Sequence, residues 1–166
     1  MLDATRLAPK LYQGSYPWEP IKPRSFDVLV LCAMELQQRP DELGLRTLRC
    51  PLNDDGTPMT RREWHNAVRT ADEVVQLLLR GARVLITCAQ GRNRSGLVAG
   101  IVLYRTSGLS GAECVRHIQQ RRPGALTNEH FVAALSNLPR RERRQLSEPP
   151  RHALHRIGAP HEYIWR

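Results

Sequence analysis

Cys88 and Arg94 stand six residues apart in the run Cys88-Ala89-Gln90-Gly91-Arg92-Asn93-Arg94-Ser95-Gly96. The intervening chain is long enough to wrap around one tetrahedral anion, with successive N–H groups turned onto its oxygens. Gly91 offers that loop a left-handed backbone that side chains disfavour. A helix opening near Ser95 aims its positive end at the same point. Arg94 closes the ring, because a guanidinium fork matches two phosphate oxygens at once. Cys88 lies inside this positive field, which favours the thiolate, the reactive form of cysteine. The chemistry such a group can do is attack on phosphorus, giving a phosphocysteine. Ser95 can donate a hydrogen bond to the sulfur and ease its departure in a second step. Ala89, Gln90, Gly91, Arg92, Asn93 and Arg94 are therefore the expected phosphate cradle. The side chains of Arg92 and Asn93 either face its entrance and select substrates, or these residues contribute their backbone alone.

Cleavage of a phosphate ester also needs a proton for the leaving oxygen. Upstream, Leu48-Arg49-Cys50-Pro51-Leu52-Asn53-Asp54-Asp55-Gly56 reads as a strand running into an acidic turn. Asp54 and Asp55 lie 34 and 33 residues before Cys88. Taken alone, an Asp-Asp-Gly triplet is ordinary turn composition. Beside the cysteine loop it becomes the candidate source of the acid.

The loop resembles that of the cysteine-dependent protein phosphatases, whose pattern is His-Cys-x2-Gly-x2-Arg-Ser/Thr. Cys88, Gly91, Arg94 and Ser95 match it. Thr87 stands where the pattern has histidine, which in the family orders the loop and helps set the thiol's acidity; Thr87 keeps a hydroxyl but not the ring. In the dual-specificity branch the resemblance implies a general acid on a loop upstream of the cysteine. A proline three residues before the acid would select Asp54, through Pro51. Alignment on the Asp-Asp-Gly turn would select Asp55; Asp54 is the expected acid and Asp55 the alternative. Having given up its proton, the acid can serve as base for the water that hydrolyses the phosphocysteine.

The elements that must position these residues follow from patterning. Residues 8–14 read as a first strand, with the Leu11-Tyr12-Gln13-Gly14 opening that resembles the start of such catalytic domains. Phe26 to Cys32 is a continuous apolar run suited to a strand buried on both faces. Residues 33–44 suggest a short helix or turn, and Leu45 to Leu52 the next strand. Thr60-Arg61-Arg62-Glu63 has capping-box spacing. Behind it Trp64, Ala67, Val68, Ala71, Val74, Val75, Leu78 and Leu79 recur at helical steps, predicting one buried face of a long helix that ends at Gly81. Arg83–Thr87 is the central strand. Helices follow from Ser95 to Thr106, from Ser110 to Arg121 and from Asn128 to Leu138. Alternation of strands and helices predicts an α/β fold, a central mostly parallel sheet flanked by helices and dual-specificity phosphatase-like.

A chain of 166 residues with 41% hydrophobic content fits one catalytic domain, placed at residues 1–138, followed by a basic tail at 139–166. The tail's four prolines make a long helix there unfavourable, so it is expected to dock or to lie partly disordered. No apolar run approaches the length of a membrane span. The first residues lack the apolar segment of a signal peptide. Cys32, Cys50, Cys88 and Cys114 show neither close pairing nor metal-ligand spacing, and the six histidines are scattered and read as surface residues. No cofactor or metal is expected, and a nucleophilic thiol suits the reducing cytoplasm.

The net charge is +9, carried by 23 arginines and only two lysines, Lys10 and Lys22. Such a surface favours anionic partners, or it reflects arginine-rich codon usage. The expected activity is hydrolysis of phosphotyrosine, with phosphoserine and phosphothreonine as further candidates and a phosphoprotein as partner. Two other readings stand beside it. One is an RNA 5′-triphosphatase or phosphoinositide phosphatase, favoured by the charge and by the Gly91-Arg92-Asn93-Arg94-Ser95 segment, which resembles the Asn-Arg-Thr-Gly part of the RNA-acting members. The other is a phosphate-binding adaptor with weak catalysis, favoured by Thr87.

Overall fold

The computed structural model describes residues 2–22, 24–37 and 45–140. Residues 38–44 of the expected 33–44 helix or turn, and residues 141–166 of the expected 139–166 tail, lie outside the described residues. Five strands form one sheet: β1 (Thr5–Ala8), β2 (Leu11–Ser15), β3 (Val28–Ala33), β4 (Arg46–Leu52) and β5 (Val84–Cys88). Their spatial order is β1-β2-β5-β3-β4. β2, β5, β3 and β4 run parallel, and only β1 is antiparallel to its neighbour. The helices are α1 (Arg61–Leu79), α2 (Arg94–Ser107), α3 (Gly111–Arg121) and α4 (Glu129–Ser136).

Alternation along the central strands separates two cores. Val28, Val30 and Cys32 of β3 and Val84, Ile86 and Cys88 of β5 join the larger core, which the four helices cover. Leu29, Leu31 and Leu85 point the other way, into a smaller cluster with Tyr16, Ile21 and Phe26. The segment between β2 and β3 therefore covers the second face, where Tyr12 meets Phe26 edge-on at 5.1 Å. With both faces buried, β3 and β5 can be apolar at nearly every position, as their sequences are.

The start of the chain departs from the expected single strand over 8–14. A tight turn at Pro9 and Lys10 makes two antiparallel strands, and Lys10 takes φ 62° to close it. β1 is short and half exposed, so its sequence carries little period-two signal. The Met34–Leu36 segment makes one 3-10 turn. The 60–79 stripe forms α1, with a complete Thr60–Glu63 capping box.

All four parallel strands end at the same edge of the sheet. Ser15, Ala33, Leu52 and Cys88 terminate β2, β3, β4 and β5 there. In open α/β sheets, ligand sites form outside these carboxyl ends. The loop after each strand thus reaches one point, which the candidate residues share.

Candidate active site

Cys88 ends the central β5, and α2 begins at Arg94. The turn between them depends on Gly91, whose φ is 65°. A Cβ on Gly91 would stand 2.4 Å from the Gly14 carbonyl carbon and 2.5 Å from the Ser15 nitrogen. The loop lies that close against the end of β2, so only glycine fits.

The Cys88 sulfur is buried and lies 3.3 Å from the Ser95 hydroxyl. Arg94 is also buried. Its two terminal nitrogens reach the Glu35 carboxylate at 2.5 and 2.8 Å, and one reaches the Leu52 carbonyl at 3.4 Å. Its Nε has no hydrogen-bond partner among the described residues. The Arg94 hydrogen bond holds the Glu35 carboxyl below its ordinary value. In turn, Glu35 raises the Arg94 value, against the opposing effect of burial. Glu35 carries no signal in the sequence, since one acid beyond an apolar strand makes no pattern.

The two candidate acids part company in space. Asp54 turns toward the cysteine loop, where its carboxylate accepts from Asn93 Nδ2 at 3.1 Å and from Asn128 Nδ2 at 2.8 Å. Asp55 turns back on its own loop, accepting from the Thr57 N–H at 3.0 Å and the Thr57 hydroxyl at 2.6 Å. Those two bonds lower the Asp55 value. Glu63 anchors the start of this loop by accepting from the Asn53 N–H while also serving the α1 cap. His130 reaches the Gly56 carbonyl at 3.2 Å, and so touches the acid loop from α4.

Asn93 does not turn its side chain out as a substrate selector. Its Oδ1 accepts from the Thr127 and Asn128 N–H groups at 2.8 and 3.1 Å, while its Nδ2 serves Asp54. This engagement leaves α2 the one α-helix among the described residues without a side-chain cap. Its first N–H groups and positive end therefore meet the loop unblocked. Arg92 and Gln90 are exposed, and Ala89 is half-buried.

Behind the loop, Arg122 ties its carbonyls to the chain start. Arg122 donates to Gly91 O at 2.5 Å and Gln90 O at 3.4 Å, and to Asp3 at 2.5 and 2.8 Å. Asp3 also accepts from the Ser15 N–H at 3.0 Å. The Arg122 hydrogen bond is the main cause that pulls the Asp3 carboxyl down to about 2. Thr87 spends its hydroxyl hydrogen on the Val30 carbonyl at 2.9 Å. Cys32 and Cys50 are buried on adjoining strands, and burial pushes the Cys32 thiol well up.

A glycine-pinched loop thus surrounds a buried cysteine, with a carboxylate-held arginine at the start of the helix that follows. The description "Dual specificity phosphatase, catalytic domain" matches residues 11–141. The chain belongs to the dual-specificity phosphatase catalytic-domain family. Among solved structures, the chain is similar to a mouse putative dual specificity phosphatase crystallised with zinc tungstate. The identity is 24% and the TM-score 0.69, over 81% of this chain and 85% of that one. Human DUSP28 is 25% identical with a TM-score of 0.64, over 80% and 89% of the two chains. Tk-PTP in its active form is 24% identical with a TM-score of 0.65, over 78% and 90%. No curated protein sequence matches the chain. The dual-specificity phosphatase fold expected from the sequence is thereby confirmed. No helix among the described residues is long and apolar enough to cross a membrane.

Proposed function

We propose that this dual-specificity phosphatase domain hydrolyses phosphotyrosine, and phosphoserine or phosphothreonine, through a phosphocysteine at Cys88. The observation that carries the reading is the pairing of Cys88 and Arg94. The nucleophile has a hydroxyl at 3.3 Å, and near it stands a buried guanidinium whose Nε has no hydrogen-bond partner among the described residues. Arg94 gathers phosphate oxygens, helped by the backbone of Ala89 to Asn93 and by the open end of α2. Cys88 attacks phosphorus as the bond to the leaving oxygen breaks. Asp54 gives that oxygen a proton. Water then attacks the phosphocysteine, Asp54 takes the water's proton, and the sulfur leaves as a thiolate that accepts from Ser95.

Asp54 is the acid in this reading because it faces the loop through Asn93, whereas both hydrogen bonds of Asp55 lie within its own turn. Residues up to 138 would form the catalytic domain. The free thiol suits a reducing compartment such as the cytoplasm. The decisive experiment is hydrolysis of an activated aryl phosphate from pH 5 to 8 by the wild type and by Cys88→Ser. Turnover in the wild type alone, with tungstate still bound by the variant, is the expected result. Tungstate binding without turnover in either protein would instead assign the site to a phosphate-binding adaptor.

A further inference from the structure

Gln13 is wholly buried in β2, opposite Ile86 of β5. A carboxamide in such a place calls for partners in the protein; its Oε1 has none among the described residues, and its nitrogen carries every contact. Its Nε2 lies 3.0 Å from Gly91 O, 3.2 Å from Arg92 O and 3.3 Å from Ser95 Oγ. The two carbonyls can only accept, so it is the amide nitrogen and not its oxygen that faces the loop. Its two hydrogens serve three acceptors, one of them shared.

The consequence falls on Ser95. A hydroxyl has one hydrogen to give. The Ser95 oxygen meets a donor on its β2 side, so its own hydrogen is left for the Cys88 sulfur at 3.3 Å. Thr87, next to the nucleophile, cannot supply that donor, because its hydroxyl hydrogen goes to Val30.

We propose that Gln13 is a positioning residue of the phosphatase reaction: by donating to the Ser95 oxygen it keeps the hydroxyl hydrogen turned onto the Cys88 sulfur, which favours the thiolate over the thiol. The inference rests on the phosphatase reading above. It acts among the other charged and titratable groups near the sulfur. Arg94 faces it from α2 and Cys32 from β3, while Glu35 and Asp54 act on Arg94.

The test is the pH profile of iodoacetamide alkylation at Cys88, located by mass spectrometry. The proteins are the wild type, Gln13→Met, Gln13→Glu, Ser95→Ala and the Gln13→Met/Ser95→Ala pair. Gln13→Met should move the alkylation midpoint upward by about 0.5–1 pH unit, the worth of one hydrogen bond. Gln13→Glu, which keeps the shape but presents acceptors, should move it further. The paired variant should shift no more than Ser95→Ala alone, because Gln13 acts through Ser95. An unchanged midpoint in folded Gln13 variants would overturn the proposal, as would shifts that simply add. Failure of both Gln13 variants to fold would make the residue structural only and would overturn it equally. A wild type without aryl phosphate turnover, in which the Gln13 variants still shift alkylation, would sink the phosphatase reading and leave the Gln13 relay standing.

Discussion

Arg94 grips Glu35 with both terminal nitrogens, at 2.5 and 2.8 Å, while its Nε has no hydrogen-bond partner among the described residues. Glu35 lies in the 3-10 turn that follows β3, and Arg94 opens α2 after β5. Two adjacent parallel strands thus deliver the two ends of one ion pair. The pair orients a guanidinium before any phosphate arrives, and such prior orientation is where catalytic electrostatics gains most.

Glu35→Gln should therefore leave the fold intact and lower kcat/KM by about 10- to 100-fold, the range of one charge-assisted hydrogen bond. Tungstate inhibition should weaken in parallel. Unchanged steady-state kinetics and inhibition would show that Arg94 needs no holder.

Asp54→Asn should slow the reaction on phosphotyrosine by about 10²- to 10⁴-fold, as removal of a general acid does. A substrate with a good leaving group should suffer far less. Asp55→Asn should change either rate little, since Asp55 is committed to Thr57. A comparison of leaving-group dependence across the three proteins checks this.

Asp3 links stability to pH. Its native value, about 2, lies below the ordinary aspartate value, so its contribution is present above about pH 4 and is lost as pH falls toward 2. The carboxylate is partly exposed, so solvent screening limits the effect to about 1 kcal/mol. Asp3→Asn should lower stability at neutral pH and differ progressively less from the wild type below about pH 4. Acid denaturation curves of the two proteins measure this directly. A constant difference across that range would count against the linkage.

Gly91→Ala should cost about 1–3 kcal/mol, from a left-handed backbone and a Cβ driven against the β2 backbone. The β2 backbone cannot swing aside as a flexible side chain could. Thermal melting would read the loss of stability, and tungstate titration the loss of the cradle. Full retention of both would mean that the loop and β2 separate easily.

Much of this was legible in order along the chain. Cys88, Gly91, Arg94 and Ser95 lie within eight consecutive residues, so their spacing alone brings them to one strand-to-helix turn. The apolar runs of β3 and β5, and the capping boxes at Thr60 and Ser110, are local signals of the same kind. β1 was not legible, because a four-residue strand with one buried position lacks a period to detect.

Tertiary structure alone decided how distant parts of the chain support that loop. Glu35 meets Arg94 across 59 residues, Gln13 meets Ser95 across 82, and Asp3 meets Arg122 across 119. Asp54 and Asp55 are identical in type and adjacent in sequence, and composition cannot separate them. The turn after β4 separates them, sending one carboxylate toward Asn93 and Asn128 and folding the other onto Thr57. A loop's own residues write its geometry into the sequence, because their contacts are local. The partners of that loop are chosen by strand order and register, which no single segment contains.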